Sequence, residues 1–179
     1  KTPTYPVQIH KFARGEEQGY LAGATFRLYK TEQDAKDNTN AIAVTGSAGS
    51  YTVAEDQKNT KSYDMVSVGN AVTEGINLKL NGLKAGDYWL VETEAPDGYN
   101  GITAPIKITI AKSADGDVNN WTISKDSENV SDKIIKIENT TGTILPGTGG
   151  MGTILFTVVG IALVLIVAAS FVISIRKRA

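Results

Sequence analysis

The feature that most constrains this chain is an uninterrupted apolar segment near its C-terminus. Residues 153–175 include no charged side chain over twenty-three positions. As a helix rising about 1.5 Å per residue, the segment would measure roughly 34 Å, which exceeds the ~30 Å hydrocarbon core of a bilayer. We therefore predict one transmembrane helix at 153–175. The basic residues in 176–179 favour the cytoplasmic side, so the chain before the helix is expected to lie outside the cell.

A short motif precedes the apolar segment: Leu145-Pro146-Gly147-Thr148-Gly149. The proline stiffens its backbone, and the glycines leave it extended and accessible. Leu-Pro-x-Thr-Gly, an apolar span and a basic tail, in that order, resemble the cell-wall sorting signal of Gram-positive surface proteins. The resemblance implies that a sortase cleaves between Thr148 and Gly149 and joins Thr148 to an amine of peptidoglycan or of another pilin. The membrane helix would then be a temporary stop. The alternative is a single-pass protein with a chance pentapeptide.

The rest of the chain is long enough for one domain, predicted at 1–141, with 142–152 as linker and sorting motif. The net charge of −1 offers no basic surface, so we predict no nucleic-acid partner. With no Cys and one His, neither a disulfide nor a zinc cluster can form, and we predict no metal and no cofactor. The first residue is Lys1 and no signal peptide follows, so we expect this chain to be the C-terminal part of a longer exported precursor.

Alternation of apolar and polar residues with period two dominates the predicted domain, which indicates strands. We expect strands at 7–11, 24–29, 41–45, 51–54, 63–68, 76–81, 88–94, 102–110, 121–123 and 133–139. Residues 31–40 are polar and predict a loop or one helical turn. Residues 82–87 are expected to form a turn, because glycine and aspartate are common there. Many short strands joined by such turns predict an all-β sandwich.

Three strands each carry one polar residue where the alternation requires a core residue. The three are Lys11 after Val7 and Ile9, Glu92 after Tyr88 and Leu90, and Asn139 after Ile135 and Ile137. Any one of them could sit at a fraying strand end and reach water. Burying all three is costly unless they meet, so we predict that they lie together in the core.

Such a cluster predicts covalent chemistry. A buried lysine tends to lose its charge and become a nucleophile, whereas a buried glutamic acid stays protonated and can donate a hydrogen bond. Lys11 Nζ could then attack Asn139 Cγ while Glu92 polarises the amide carbonyl and shuttles protons. Ammonia would leave, and an isopeptide bond would remain.

Residues 88–99, Tyr-Trp-Leu-Val-Glu-Thr-Glu-Ala-Pro-Asp-Gly-Tyr, resemble the "E-box" of CnaB-type domains of Gram-positive pilins and adhesins. Residues 23–26 and 82–88 resemble two further signatures of that family. The resemblance implies an inverse immunoglobulin-like sandwich with a self-formed Lys–Asn bond, and it assigns the three roles to Lys11, Glu92 and Asn139. One motif departs from the family, because a polymerising lysine in a Tyr-Pro-Lys-Asn-like motif is absent after Tyr5-Pro6.

The chain is therefore expected to be a structural pilin subunit, anchored to the cell wall at the cell surface. Its expected partners are a sortase, other pilin subunits, peptidoglycan and, transiently, the membrane through 153–175. The alternative is an ancillary pilin or adhesin that binds a host ligand. We expect no enzymatic activity beyond single-turnover formation of the bond. The one histidine, His10, is expected to point outward into solvent.

Overall fold

Two β-sheets packed face to face make up the structure, a computed structural model that describes residues 2–114, 117 and 119–142. The strands are β1 (Tyr5–Ala13), β2 (Thr25–Tyr29), β3 (Val44–Ser47), β4 (Ser50–Val53), β5 (Met65–Val66), β6 (Leu78–Leu83), β7 (Gly86–Glu94), β8 (Tyr99–Asn100), β9 (Ile106–Ala111), β10 (Thr122–Lys125), β11 (Glu128–Asn129) and β12 (Ile134–Thr141). A short helix, α1 (Glu32–Asp37), follows β2. Thr31 caps this helix, because its side chain accepts a hydrogen bond from the Asp34 amide.

The first sheet has the order β3-β4-β6-β1-β12-β8. Its central strand, β1, pairs antiparallel with β6 on one side and parallel with β12 on the other. The first and last strands of the domain are therefore direct neighbours. In their register Lys11 lies opposite Ile137, and Ala13 lies opposite Asn139.

The second sheet has the order β11-β10-β9-β7-β2-β5. Its inner face packs on the first sheet through alternate apolar residues, as expected for a sandwich with one buried face on each sheet. The fully buried members of this core include Ile9, Phe26, Leu28, Leu78, Leu90, Ile108, Ile110, Ile123, Ile135 and Ile137. The prediction of an all-β sandwich is confirmed.

Several strand boundaries differ from those predicted, including those of β5, β6, β7 and β9. Strand β9 begins at Ile106 and not at Ile102, because Pro105 has no amide hydrogen to give to a ladder. The predicted turn at 82–87 is only two residues long, since β6 continues to Leu83 and β7 begins at Gly86. The expected strand at 63–68 is reduced to Met65–Val66.

The predicted linker beyond residue 142, the sorting motif, the transmembrane helix at 153–175 and the tail at 176–179 all lie outside the described residues. Within the residues that the structure does describe, no helix has the length and apolar character needed to cross a bilayer.

The turn between β3 and β4 provides a test of the packing. Gly49 has a φ of +78°, and a Cβ atom there would lie 2.8 Å from the Asn77 carbonyl oxygen and 2.9 Å from side-chain atoms of Val68 and Val72. Gly15 has a similar φ of +82°, but a Cβ there would meet nothing within 4 Å. Alanine at either position costs about 1–2 kcal/mol in the left-handed region. Overpacking adds about 1–3 kcal/mol only at Gly49.

We therefore expect Gly49→Ala to lower the free energy of unfolding, measured in urea, by at least about 1 kcal/mol more than Gly15→Ala does. Equal losses for the two variants would show that the contacts around Gly49 are not as described.

Candidate functional site

Lys11 lies on the inner face of β1 and is completely buried, with no part of its side chain exposed to solvent. The alternation Val7, Ile9, Lys11 continues into the core as the sequence predicts. The lysine side chain therefore points between the two sheets, where its amine can contact only protein groups.

Asn139 reaches the same point from the neighbouring strand. It follows Ile137 by two residues on β12, so both side chains share the inner face. The Lys11 amine donates to Asn139 Oδ1 at 2.5 Å and lies 3.4 Å from the Ile137 carbonyl oxygen. The first distance is shorter than the roughly 2.7–2.9 Å of a charge-assisted N–H···O bond.

Glu92 approaches from the opposite sheet, on the inner face of β7, and its side chain is also fully buried. Glu92 Oε1 accepts a hydrogen bond from Asn139 Nδ2 at 2.9 Å and lies 3.8 Å from Lys11 Nζ. Glu92 Oε2 accepts from the Ile102 amide at 2.7 Å. The backbone just before β9 thus fixes the carboxyl group, and the structure brings all three predicted residues together.

The dry surroundings change the acid–base behaviour of the lysine. Burial lowers the pKa of the Lys11 amine from 10.5 to about 8, and the carboxylates of Glu92 and Glu138 oppose this shift only in part. At pH 7 about one Lys11 amine in ten is then neutral and able to act as a nucleophile, compared with fewer than one in a thousand for an ordinary lysine.

The orientation of the Asn139 amide differs from the expected one. We expected Glu92 to donate to the amide oxygen, whereas the oxygen faces Lys11 and the nitrogen faces Glu92. In this arrangement Glu92 Oε1 lies 3.8 Å from the nitrogen that would attack and 2.9 Å from the nitrogen that would leave. This geometry suits transfer of a proton from Lys11 to the departing ammonia. Polarisation of the carbonyl by Glu92 would instead require the amide to rotate so that its oxygen and nitrogen exchange places.

One residue at the site was missed by the sequence reasoning. Alternation with Ile76, Leu78 and Leu80 predicts that Asn77 faces outward, yet Asn77 is fully buried and its side chain bonds the backbone of Lys11. The cause lies outside the strand, because the Asn77 side chain also donates to the carbonyl oxygens of Leu21, in the β1–β2 connection, and of Val68, nine residues earlier in the chain. No sequence signal distinguishes it from Asn81, which is only half-buried.

The expectation that His10 is solvated is also wrong. The imidazole is only 8% exposed and lies against the rings of Phe12 and Tyr20, with centroid distances of 5.0 and 5.3 Å. Its Nε2 donates to the Gly19 carbonyl oxygen at 2.8 Å. The connection between β1 and β2 folds back over the outer face of β1 and covers the histidine, which is therefore a packing residue.

The remaining predicted site residues, Leu145, Pro146, Gly147, Thr148 and Gly149, lie outside the described part of the chain. In the part that is described, His, Asp and Glu side chains form no group of three that could hold a metal ion.

The sequence profile of the SpaA family, described as a prealbumin-like fold domain, matches residues 6–127. No curated protein is detectably similar to the chain.

Similar solved structures include a minor pilin of Streptococcus agalactiae, with 23% identity over 79% of this chain and 46% of that one, at a TM-score of 0.49. The pilus 2b backbone protein of group B streptococcus shows 23% identity over 82% of this chain and 44% of that one, at 0.44. The shaft pilin SpaA of Lactobacillus rhamnosus GG shows 21% identity over 80% of this chain and 48% of that one, at a TM-score of 0.43. This chain thus spans less than half of each.

Lys11 gives the domain a pH dependence that can be measured where no cross-link can form, in Asn139→Ala. Between pH 8 and 10.5 the unfolded chain keeps a proton on Lys11 that the folded chain has released. Raising the pH through this window therefore increases the free energy of unfolding, and this increase is lost when the pH falls below the window. We expect the free energy of unfolding in urea to rise by on the order of 3 kcal/mol from this one group.

The matched control is Lys11→Met in the Asn139→Ala background, which retains every other titrating group. The free energy of unfolding of Asn139→Ala, minus that of the control, should increase from pH 8 to 10.5. A difference that stays constant with pH would contradict the burial of an ionisable amine at this position.

Proposed function

Because the chain belongs to the SpaA family of prealbumin-like fold domains, we propose that it is a structural pilin subunit stabilised by an amide bond between Lys11 and Asn139. One observation carries this proposal. A lysine amine, a carboxamide and a carboxyl group meet in a core that excludes water, and the amine lies 2.5 Å from the amide oxygen. Neither metal nor cofactor is needed for the reaction that such a cluster can perform.

The proposed reaction is a single transamidation. The lone pair of neutral Lys11 Nζ attacks Asn139 Cγ and forms the new C–N bond, and the bond from Cγ to Nδ2 breaks. One proton leaves Nζ and arrives on Nδ2 by way of Glu92 Oε1, so the leaving group departs as ammonia. Glu92 ends in the protonation state in which it began, so the domain carries out one turnover on itself and is not otherwise an enzyme.

The strand pairing supports a mechanical role for this bond. Because β1 and β12 are parallel neighbours, tension that enters at the start of β1 and leaves at the end of β12 shears one strand past the other. A Lys11–Asn139 bond would carry that tension across and bypass the 128-residue separation between the two residues. Without it, unfolding that segment could lengthen the chain by roughly 450 Å, at about 3.5 Å per residue.

Attachment at the cell surface is the second part of the proposal and rests on the sequence. A sortase would break the bond between Thr148 and Gly149 and join the Thr148 carbonyl to an amine of another pilin subunit or of peptidoglycan. The helix at 153–175 would hold the precursor in the membrane until then. The assembled protein would therefore be a cell-wall-anchored component of a Gram-positive pilus.

The isopeptide bond can be tested by intact mass. The full chain, purified in mild detergent without any sortase, should weigh one ammonia less than its sequence predicts. Lys11→Ala and Glu92→Ala should restore the calculated mass, because the first removes the nucleophile and the second the proton carrier. Glu94→Ala, two residues further along the same strand but exposed, should still lose ammonia. A folded wild type at its full calculated mass would rule out the bond.

Sortase processing can be tested on the same preparation. Incubation with a Gram-positive sortase and a triglycine nucleophile should yield residues 1–148 joined to triglycine, seen by mass. Thr148→Ala should block the reaction, whereas Thr141→Ala, outside the motif, should not. Cleavage at another bond, or none in the wild type, would remove the anchoring part of the proposal and leave the cross-link untouched.

A further inference from the structure

Asn77 is a fully buried polar residue whose carboxamide is bonded at both ends. Its Oδ1 accepts from the Lys11 amide at 2.7 Å. Its Nδ2 lies within hydrogen-bonding distance of three carbonyl oxygens, those of Lys11 (3.1 Å), Leu21 (3.2 Å) and Val68 (2.8 Å). Burying a carboxamide in a core is unfavourable unless it is satisfied in this way, so its location calls for an explanation.

The explanation lies in where the β1–β6 ladder ends. The paired register of these strands stops at Ile9 opposite Leu78, and the last backbone bond runs from the Asn77 amide to the Ile9 carbonyl oxygen at 3.1 Å. Lys11 is two residues further along β1, where no backbone of β6 lies beside it. The Asn77 side chain supplies there the acceptor for the Lys11 amide. Its Nδ2 also donates to the Lys11 carbonyl oxygen at 3.1 Å, beside the Leu21 amide, which donates to the same oxygen at 2.8 Å.

We propose that Asn77 is a positioning residue for the cross-linking reaction, holding the backbone of Lys11 so that the amine stays against Asn139. This inference rests on the proposed function. Lysine has a long flexible side chain, and its amine keeps a near-attack geometry only if the backbone beneath it is fixed. Displacements of about 1 Å can slow such a reaction by around 100-fold.

The surroundings of Asn77 offer a matched control. Ser67 is also buried, and its hydroxyl donates to the same Leu21 carbonyl oxygen at 2.7 Å. Ser67 additionally accepts from the Ala24 amide at 3.1 Å. The hydrogen bonds of its side chain thus tie together the same loops without touching Lys11, so Ser67→Ala removes loop bonding and leaves the hold on Lys11 in place.

The experiment follows bond formation in the full chain with time. Chain recovered unfolded in urea is diluted into buffer with mild detergent, folding is followed by tryptophan fluorescence, and quenched samples are weighed for loss of ammonia. The wild type, Asn77→Ala and Ser67→Ala are compared between pH 6 and 10, at a temperature where each is fully folded. We expect Asn77→Ala to lose ammonia about 10- to 100-fold more slowly at every pH, with Ser67→Ala near the wild type.

Three other outcomes would overturn the proposal. The first is an equal rate in Asn77→Ala and the wild type. The second is equal slowing in both variants, which would mean that Asn77 acts only by bonding the loops together and not by holding Lys11. The third is a pH profile of Asn77→Ala that moves toward the pKa of an ordinary lysine, which would show that Asn77 keeps water out and does not position the amine. A wild type that never loses ammonia would instead disprove the bond itself, a result distinct from these three.

A second measurement applies even if Asn77→Ala fails to fold. In Glu92→Gln, where the bond is not expected to form, the Lys11 amide should exchange its hydrogen as slowly as the β1 amides that pair with β12. Rapid exchange there would mean that Asn77 does not hold the Lys11 backbone, and the proposal would fall.

Discussion

The parallel pairing of β1 with β12 is the constraint on which the rest of this domain depends. It joins the first and last strands of the fold in one ladder, and every other strand lies between these two along the sequence. It also sets the register that puts Asn139 two residues beyond the partner of Lys11, on the same face. A shift by one residue would turn one of the two side chains away from the core and separate them.

The polar cluster between the two sheets is stable because its members satisfy one another's hydrogen bonds. Lys11, Glu92 and Asn139 are each buried, and every described buried side-chain nitrogen or oxygen has a hydrogen-bond partner. The arrangement still includes an amine that burial drives toward its neutral form. Conversion of that amine and the amide into a secondary amide would remove the ionisable amine altogether. The desolvation that lowers the pKa of the Lys11 amine would therefore no longer act in the proposed cross-linked product.

Much of this site could be predicted because each of its three residues breaks a local pattern. Lys11, Glu92 and Asn139 stand where period two calls for an apolar side chain, and that signal needs only a few neighbouring residues. The burial of Asn77 and His10 is not predicted by the alternation, because it depends on the β1–β2 connection, whose path over the strands is not recorded in the strand pattern. The parallel pairing of β1 and β12 leaves no local trace either, since the partners are more than a hundred residues apart.

Lys11 and Asn139 lie on the first and last strands of the domain, so the proposed cross-link could form only late in its synthesis. Strand β12 is the last element of the domain to be synthesised, and in the export that we propose it would be the last to cross the membrane. Until it emerges, Lys11 has no Asn139 beside it, and the chain stays linear and able to pass through a narrow channel. The cross-link we propose would thus form only after the whole domain has been made. A truncated product that lacks β12 would have no cross-link and would be open to proteolysis.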